Sequence, residues 1–168
     1  WEGDFRLRYQ DDLFADSNAP AAFFESIGQQ VSNTTEDNAA GKVRLRLGLN
    51  ANVTSRVDVG VRITTGSTEN PVSTNQTLGN YDNKYSLVLD RGFLRLDPTT
   101  WLSASGGRIA NPFFGTDLLW ADDLNFEGVA MTFKPKLSPS ASAFVTAGWF
   151  PLSTEQPLQD SGRDLIGV

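Results

Sequence analysis

The chain has 168 residues, a formal net charge of −6, and neither cysteine nor histidine. Disulfide frameworks, thiolate metal sites, cysteine nucleophiles and the commonest general base are therefore absent from it, and an acidic total is a poor match for a nucleic-acid binder. Charged residues at 20% and hydrophobic ones at 39% leave most of the rest to Gly, Ser, Thr and Asn, against a helical bundle. No apolar run approaches the roughly 20 residues of a transmembrane helix.

Period-two alternation, the mark of strands with two unlike faces, recurs along the chain. It predicts strands at about residues 2–9, 42–53, 56–66, 85–97, 101–109, 125–135 and 140–150. The second is the clearest. Val43, Leu45, Leu47, Leu49, Ala51 and Val53 share one parity, while Lys42, Arg44, Arg46, Gly48, Asn50 and Asn52 share the other. The third repeats the pattern, with Val57, Val59, Val61 and Ile63 against Arg56, Asp58, Gly60, Arg62 and Thr64. Both exceed the usual globular strand of about 5–6 residues and match the roughly 9–11 that a tilted strand needs to cross a bilayer.

The connections alternate in length. They are short at Thr54-Ser55, Pro98-Thr99-Thr100 and Lys136-Leu137-Ser138-Pro139, and long over about residues 10–41, 67–84 and 110–124. Short turns at one rim and long loops at the other are the pattern of outer-membrane barrels. A short helix is predicted over residues 19–31, and residues 151–168 read as the start of a further outer loop. Gly106-Gly107 marks a bulge, a close backbone approach or a plain strand-to-loop break.

Alternation alone does not say which face meets water, so the charged residues have to decide. Arg6, Arg8, Lys42, Arg44, Arg46, Arg56, Arg62, Arg91 and Arg95 occupy strand positions, and most acids, such as Asp11, Asp12, Glu36, Asp37, Asp82 and Asp122, fall in loops. A soluble sheet with its arginines toward solvent shares this periodicity. In a barrel, however, a basic residue on the lipid side at mid-membrane costs about 2–4 kcal/mol. All nine are therefore expected to line the interior. An Arg-rich interior leans toward anions or carboxylate-bearing zwitterions.

The third long loop, around Asn111 to Leu124, is dense in aromatic and acidic residues. By analogy with general diffusion porins it folds inward and narrows the bore, with Asp117, Asp122 and Asp123 facing the Arg wall. Alternatively it packs on the rim, its Phe and Trp serving as interfacial anchors. No spaced calcium-ligand loop occurs, and no metal, cofactor or catalytic constellation is expected.

Several stretches resemble the putative porin family of Gram-negative bacteria. They include Trp1-Glu2-Gly3-Asp4-Phe5-Arg6-Leu7-Arg8-Tyr9, Arg44-Leu45-Arg46-Leu47-Gly48-Leu49 and Thr65-Gly66-Ser67. The most specific is Asn70-Pro71-Val72-Ser73-Thr74-Asn75-Gln76-Thr77-Leu78-Gly79. Leu89-Asp90-Arg91-Gly92-Phe93-Leu94, Gly106-Gly107-Arg108, Asn111-Pro112-Phe113, Asp117 to Asn125, and Gly148-Trp149-Phe150-Pro151-Leu152 also match. The resemblance implies an outer-membrane location and passive transport, and it brings no catalytic residues.

The expectation is thus an all-β, antiparallel up-and-down transmembrane β-barrel. Residues 1–168 would be the N-terminal portion of one barrel domain, with seven strands visible of a larger closed barrel. The larger barrel follows from an odd strand count and from the lack of a terminal aromatic after Leu165-Ile166-Gly167-Val168. Expected partners are outer-membrane lipid and small hydrophilic solutes, with no nucleic acid. Many such channels form homotrimers, although no interface signal is visible. The expected function is a non-enzymatic, porin-like channel. Its rivals are a barrel that anchors surface loops for adhesion or attachment, and a soluble carbohydrate-binding sandwich using Trp101, Trp120 and Trp149 as stacking platforms.

Overall fold

The computed structural model describes residues 1–18, 35–79, 81–116, 118–138, 141–153 and 162–168. The helix expected over 19–31 lies outside these residues. Within them there is no helix, and the chain forms an antiparallel sheet.

The strands are β1 (Glu2–Asp12), β2 (Asn38–Thr54), β3 (Val57–Thr65), β4 (Gln76–Thr77), β5 (Leu87–Thr99) and β6 (Leu102–Ala110). They continue with β7 (Asn125–Phe133), β8 (Lys136–Ser138), β9 (Ala141–Ser142), β10 (Val145–Ser153) and β11 (Arg163–Gly167). The spatial order is β1-β2-β3-β5-β6-β7-β10-β11, so each long strand bonds to the next along the chain. The two-residue β4 pairs with β2 at Lys42 and Val43, beyond the point where β3 stops. The β8–β9 pair forms a separate small ladder within the turn between β7 and β10. The sheet ends at β1 and β11, which do not pair with each other, so it is open.

Several expectations about strand content need correction: the strand expected at 140–150 begins at Val145, and Lys136–Ser138, expected as turn, is β8. The tail after Pro151 is not all loop. Strand β10 runs on to Ser153, and Arg163–Gly167 adds an eighth long-path strand on β10, through Trp149↔Ile166 and Phe150↔Leu165. Leu165 and Ile166 are neighbouring apolar residues that face opposite ways, which hides the alternation. Arg56 is also not in a strand. It sits exposed in the Ser55-Arg56 turn, where its carbonyl accepts the Asp97 N–H at 2.8 Å.

The alternation survives in the middle of the sheet with one inserted residue, other register shifts falling near strand ends at Asn52/Thr54, Leu96/Thr99 and Pro151/Ser153. Register slips between Arg62↔Arg91 and Ile63↔Leu89, leaving Asp90 as a bulge in β5. The bulge resets parity, so Leu89 and Leu94, five apart, both lie on the apolar face at 60% and 50% exposure. That face is open along the sheet: Phe5, Leu7, Leu47, Leu49, Val61, Ile63, Val129, Met131, Trp149 and Ile166 are all exposed. No second layer covers it among the described residues, so the two packed sheets of a sandwich are not seen there.

The opposite face is the covered one, because the segment between β6 and β7 folds over it. Its buried core is Ile109, Phe126, Ala130 and Phe150, with Phe93, Phe113, Trp120, Leu124 and Leu165 packed around them. Phe126 is the hub, with ring centroids 4.8 Å from Phe150, 5.3 Å from Trp120 and 6.0 Å from Phe113. Aromatic pairs of this kind add about 0.5–1.5 kcal/mol each beyond their burial.

Glycine makes this packing possible. Gly107 and Gly128 lie opposite each other across β6 and β7 with φ of +113° and +146°. A Cβ on Gly128 would stand 2.2 Å from the Trp149 carbonyl oxygen, and one on Gly107 would stand 2.3 Å from that of Gly92. Gly106-Gly107 is accordingly a close backbone approach, and the β6–β7 register runs through it without a bulge. Gly128→Ala should lower folded stability by about 1–3 kcal/mol, the usual cost of a disfavoured backbone conformation. The urea midpoint of the folded protein reads this directly, and an unchanged midpoint would contradict it.

Candidate functional site

The charged residues gather on the loop-covered face because the ladder puts them there. Strand register sets Arg6 opposite Arg44 and Arg8 opposite Lys42 across β1–β2, and Arg62 opposite Arg91 across β3–β5. Like charges directly opposite one another destabilise a sheet. Three such pairs on one face need acids nearby.

The acids come from two sources. Asp4, opposite Arg46 in register, accepts from Arg44 Nη2 at 2.8 Å and from Arg46 Nε at 2.5 Å. Asp90, the bulge residue, pairs with Arg62 in a buried contact whose side chains are 10% and 6% exposed. Asn125 donates to the same carboxylate at 2.7 Å and accepts from Arg91 Nε at 2.7 Å, so one amide ties both arginines to one acid. Near the short turns, Arg95 pairs with Asp58 at 3.2 Å and Asp97 at 2.8 Å.

The second source is the β6–β7 segment. Asp123 receives Arg46 Nη1 at 2.9 Å, lies 3.7 Å from Arg44 Nη1, and accepts the Thr74 hydroxyl at 3.0 Å. Three strands, β3, β5 and β6, separate β2 from β7, where this segment re-enters the sheet. Asp123 therefore ties the segment across the charged face to the far side, while Phe113 and Trp120 fix it to the aromatic cluster. The loop between β3 and β5 joins the same junction through Thr74, and its Asn75 accepts from Arg6 Nη2 at 2.7 Å.

Of the predicted wall residues, Arg6, Arg8, Lys42, Arg44, Arg46, Arg62, Arg91 and Arg95 share this face, and Arg56 does not. Of the predicted loop acids, Asp123 meets the arginines, Asp122 is exposed, and Asp117 lies outside the described residues. Phe113 and Trp120 pack inward rather than acting as rim anchors, whereas Phe114 is 79% exposed.

Sequence reasoning missed the wall acids Asp4 and Asp90. Asp4 was findable, since it shares parity with Arg6 and Arg8; Asp90 was hidden by its own bulge. Arg108 departs from the face. Register places it with Gly92 on the apolar side, where it pairs with Glu127 at 2.5 Å and donates to the Asp90 carbonyl at 2.8 Å. Among the described residues no group of three or more acidic side chains is arranged to hold a metal ion.

A continuous antiparallel sheet with its charges under an inward loop and its apolar residues outward has the make-up of a porin-like β-sheet wall. The chain belongs to the putative porin family, whose family model matches residues 1–165. No curated protein matches the sequence.

Proposed function

We propose that the protein is a porin-like channel of the Gram-negative outer membrane, non-enzymatic, passing small hydrophilic solutes by diffusion, with a lean toward anions. In this reading the sheet is part of a closed wall, its apolar face against lipid and its charged face on the bore. The observation that carries it is the stacking of Arg6 on Arg44, Arg8 on Lys42 and Arg62 on Arg91. A sheet selected only for stability would not keep three such repulsions on one face, whereas a bore that attracts anions gains from them.

The acids on the wall moderate the field without cancelling it. Among the described residues Arg6, Arg8 and Arg91 bond to the amides of Asn75, Gln10 and Asn125 and form no ion pair with a carboxylate. Their charge remains available to a passing solute.

Reversal potentials in planar bilayers under a salt gradient test this. The protein should favour chloride over potassium, and Arg6→Gln with Arg8→Gln should move the ratio toward potassium. Potassium preference in the unaltered protein would overturn the anion lean. Folded protein without conductance would overturn the channel and favour a barrel that anchors its surface loops.

A further inference from the structure

The two rims carry opposite charge. The long connections, over residues 13–37, 66–86, 111–124 and 154–162, are strewn with Asp and Glu and hold Lys84 as their one basic residue. The short turns, Ser55-Arg56, Thr100-Trp101 and residues 134–144, hold Arg56, Lys134 and Lys136 and no acid.

At the short-turn rim lies an open apolar cleft of about 420 Å³, lined by Thr100, Trp101, Phe133, Lys134, Pro135 and Lys136. The Trp101 and Phe133 rings meet edge to face at 5.3 Å and form its floor. The cleft is built, because the Lys134 N–H donates to the Trp101 carbonyl at 2.7 Å and ties the two turns together. Phe133 belongs to the same outward row as Met131 and Val129, at 44%, 52% and 51% exposure, so the cleft runs on into the open apolar face.

We infer that this cleft binds one anionic glycerophospholipid, with its phosphate at Lys134 and Lys136 and an acyl chain along Phe133 and Met131. The inference rests on the membrane orientation proposed above and goes beyond it in naming a lipid and its site. Aromatic rings favour the depth where acyl chain gives way to headgroup. Two ammonium groups beside them, with no carboxylate on the turns, complement a negative phosphate. Lys134 also borders a polar pocket with Arg95 and Asp97, so Lys136 is the larger contributor.

Native mass spectrometry of the full chain in detergent, with phosphatidylglycerol competing against phosphatidylcholine, reads the preference. Each lysine near an anionic group is worth about 1 kcal/mol, or about fivefold. The unaltered protein should retain phosphatidylglycerol preferentially, and Lys134→Ser with Lys136→Ser should bring the two lipids to parity. Lys134→Arg with Lys136→Arg should keep the preference, and Lys42→Ser at the opposite rim should not alter it. Equal retention by the unaltered protein, or a preference that survives the double serine variant, overturns the site. Flotation on phosphatidylcholine vesicles separates this from the parent reading: protein that floats but shows no preference defeats the lipid site alone, and protein that never floats defeats both.

Discussion

Asp123→Ala is expected to raise single-channel conductance and to strengthen anion preference together. Asp123 joins the β6–β7 segment to Arg44, Arg46 and Thr74 on the far side of the charged face. Hydrogen bonds to charged groups contribute about 1.5–3 kcal/mol each, and each 1.4 kcal/mol is tenfold in population. Losing this junction should shift the segment from held to released by at least about tenfold. The aromatic cluster would still hold its other side, so the segment should swing rather than detach. Among the described residues Arg44 and Arg46 would then pair with Asp4 alone, which exposes more positive charge to the proposed bore. Asp123→Asn separates the two effects, since it keeps an acceptor for Thr74 but removes the charge. It should strengthen anion preference with a smaller gain in conductance. Unchanged conductance in both variants would mean that the segment does not limit the bore.

The second large effect is on stability. Asp90→Ala removes the one carboxylate that pairs with Arg62 among the described residues, and Arg62 is 8% exposed and stands opposite Arg91. Removing one partner of a buried pair costs about 3–5 kcal/mol, because the remaining charge is left without compensation. Asn125 would lose an acceptor at the same time. The denaturant midpoint and the yield of folded protein should both fall sharply. Adding Arg62→Met should restore much of the loss, since an apolar replacement of both members is often close to neutral. If the double variant is no better than Asp90→Ala alone, the bulge geometry rather than the ion pair holds the site.

The parts of the fold legible in the sequence are those where one parity is uniform. Lys42 to Asn52 and Val57 to Ile63 show their faces because no extra residue within them breaks the alternation and each residue meets one environment. Asp90 breaks that condition, since a single extra residue inverts parity within β5 and no turn residue announces it. The aromatic cluster was invisible for a different reason. Phe126 and Phe150 lie on the parity otherwise held by Gly, Ser and Thr, and only the returning β6–β7 segment explains why large apolar side chains belong there. Strand β11 is short and apolar on both faces, because Leu165 meets that cluster while Ile166 is 75% exposed. The site divides in the same way. Basic positions followed from alternation, whereas the acids that balance them required knowing which residues the register and the loop bring together.

Site-directed spin labelling in vesicles tests the orientation of the sheet most directly. The sequence contains no cysteine, so a single introduced one is the only target for the label. Leu47→Cys and Val129→Cys carry labels on the open apolar face, and Ser105→Cys carries one on the face of Arg95 and Ala130. Labels at the first two positions should relax strongly with oxygen, which concentrates in lipid, and weakly with a water-soluble nickel complex. The label at Ser105 should do the reverse. Nickel access at Leu47 and Val129, with oxygen-dominated relaxation at Ser105, would contradict the account.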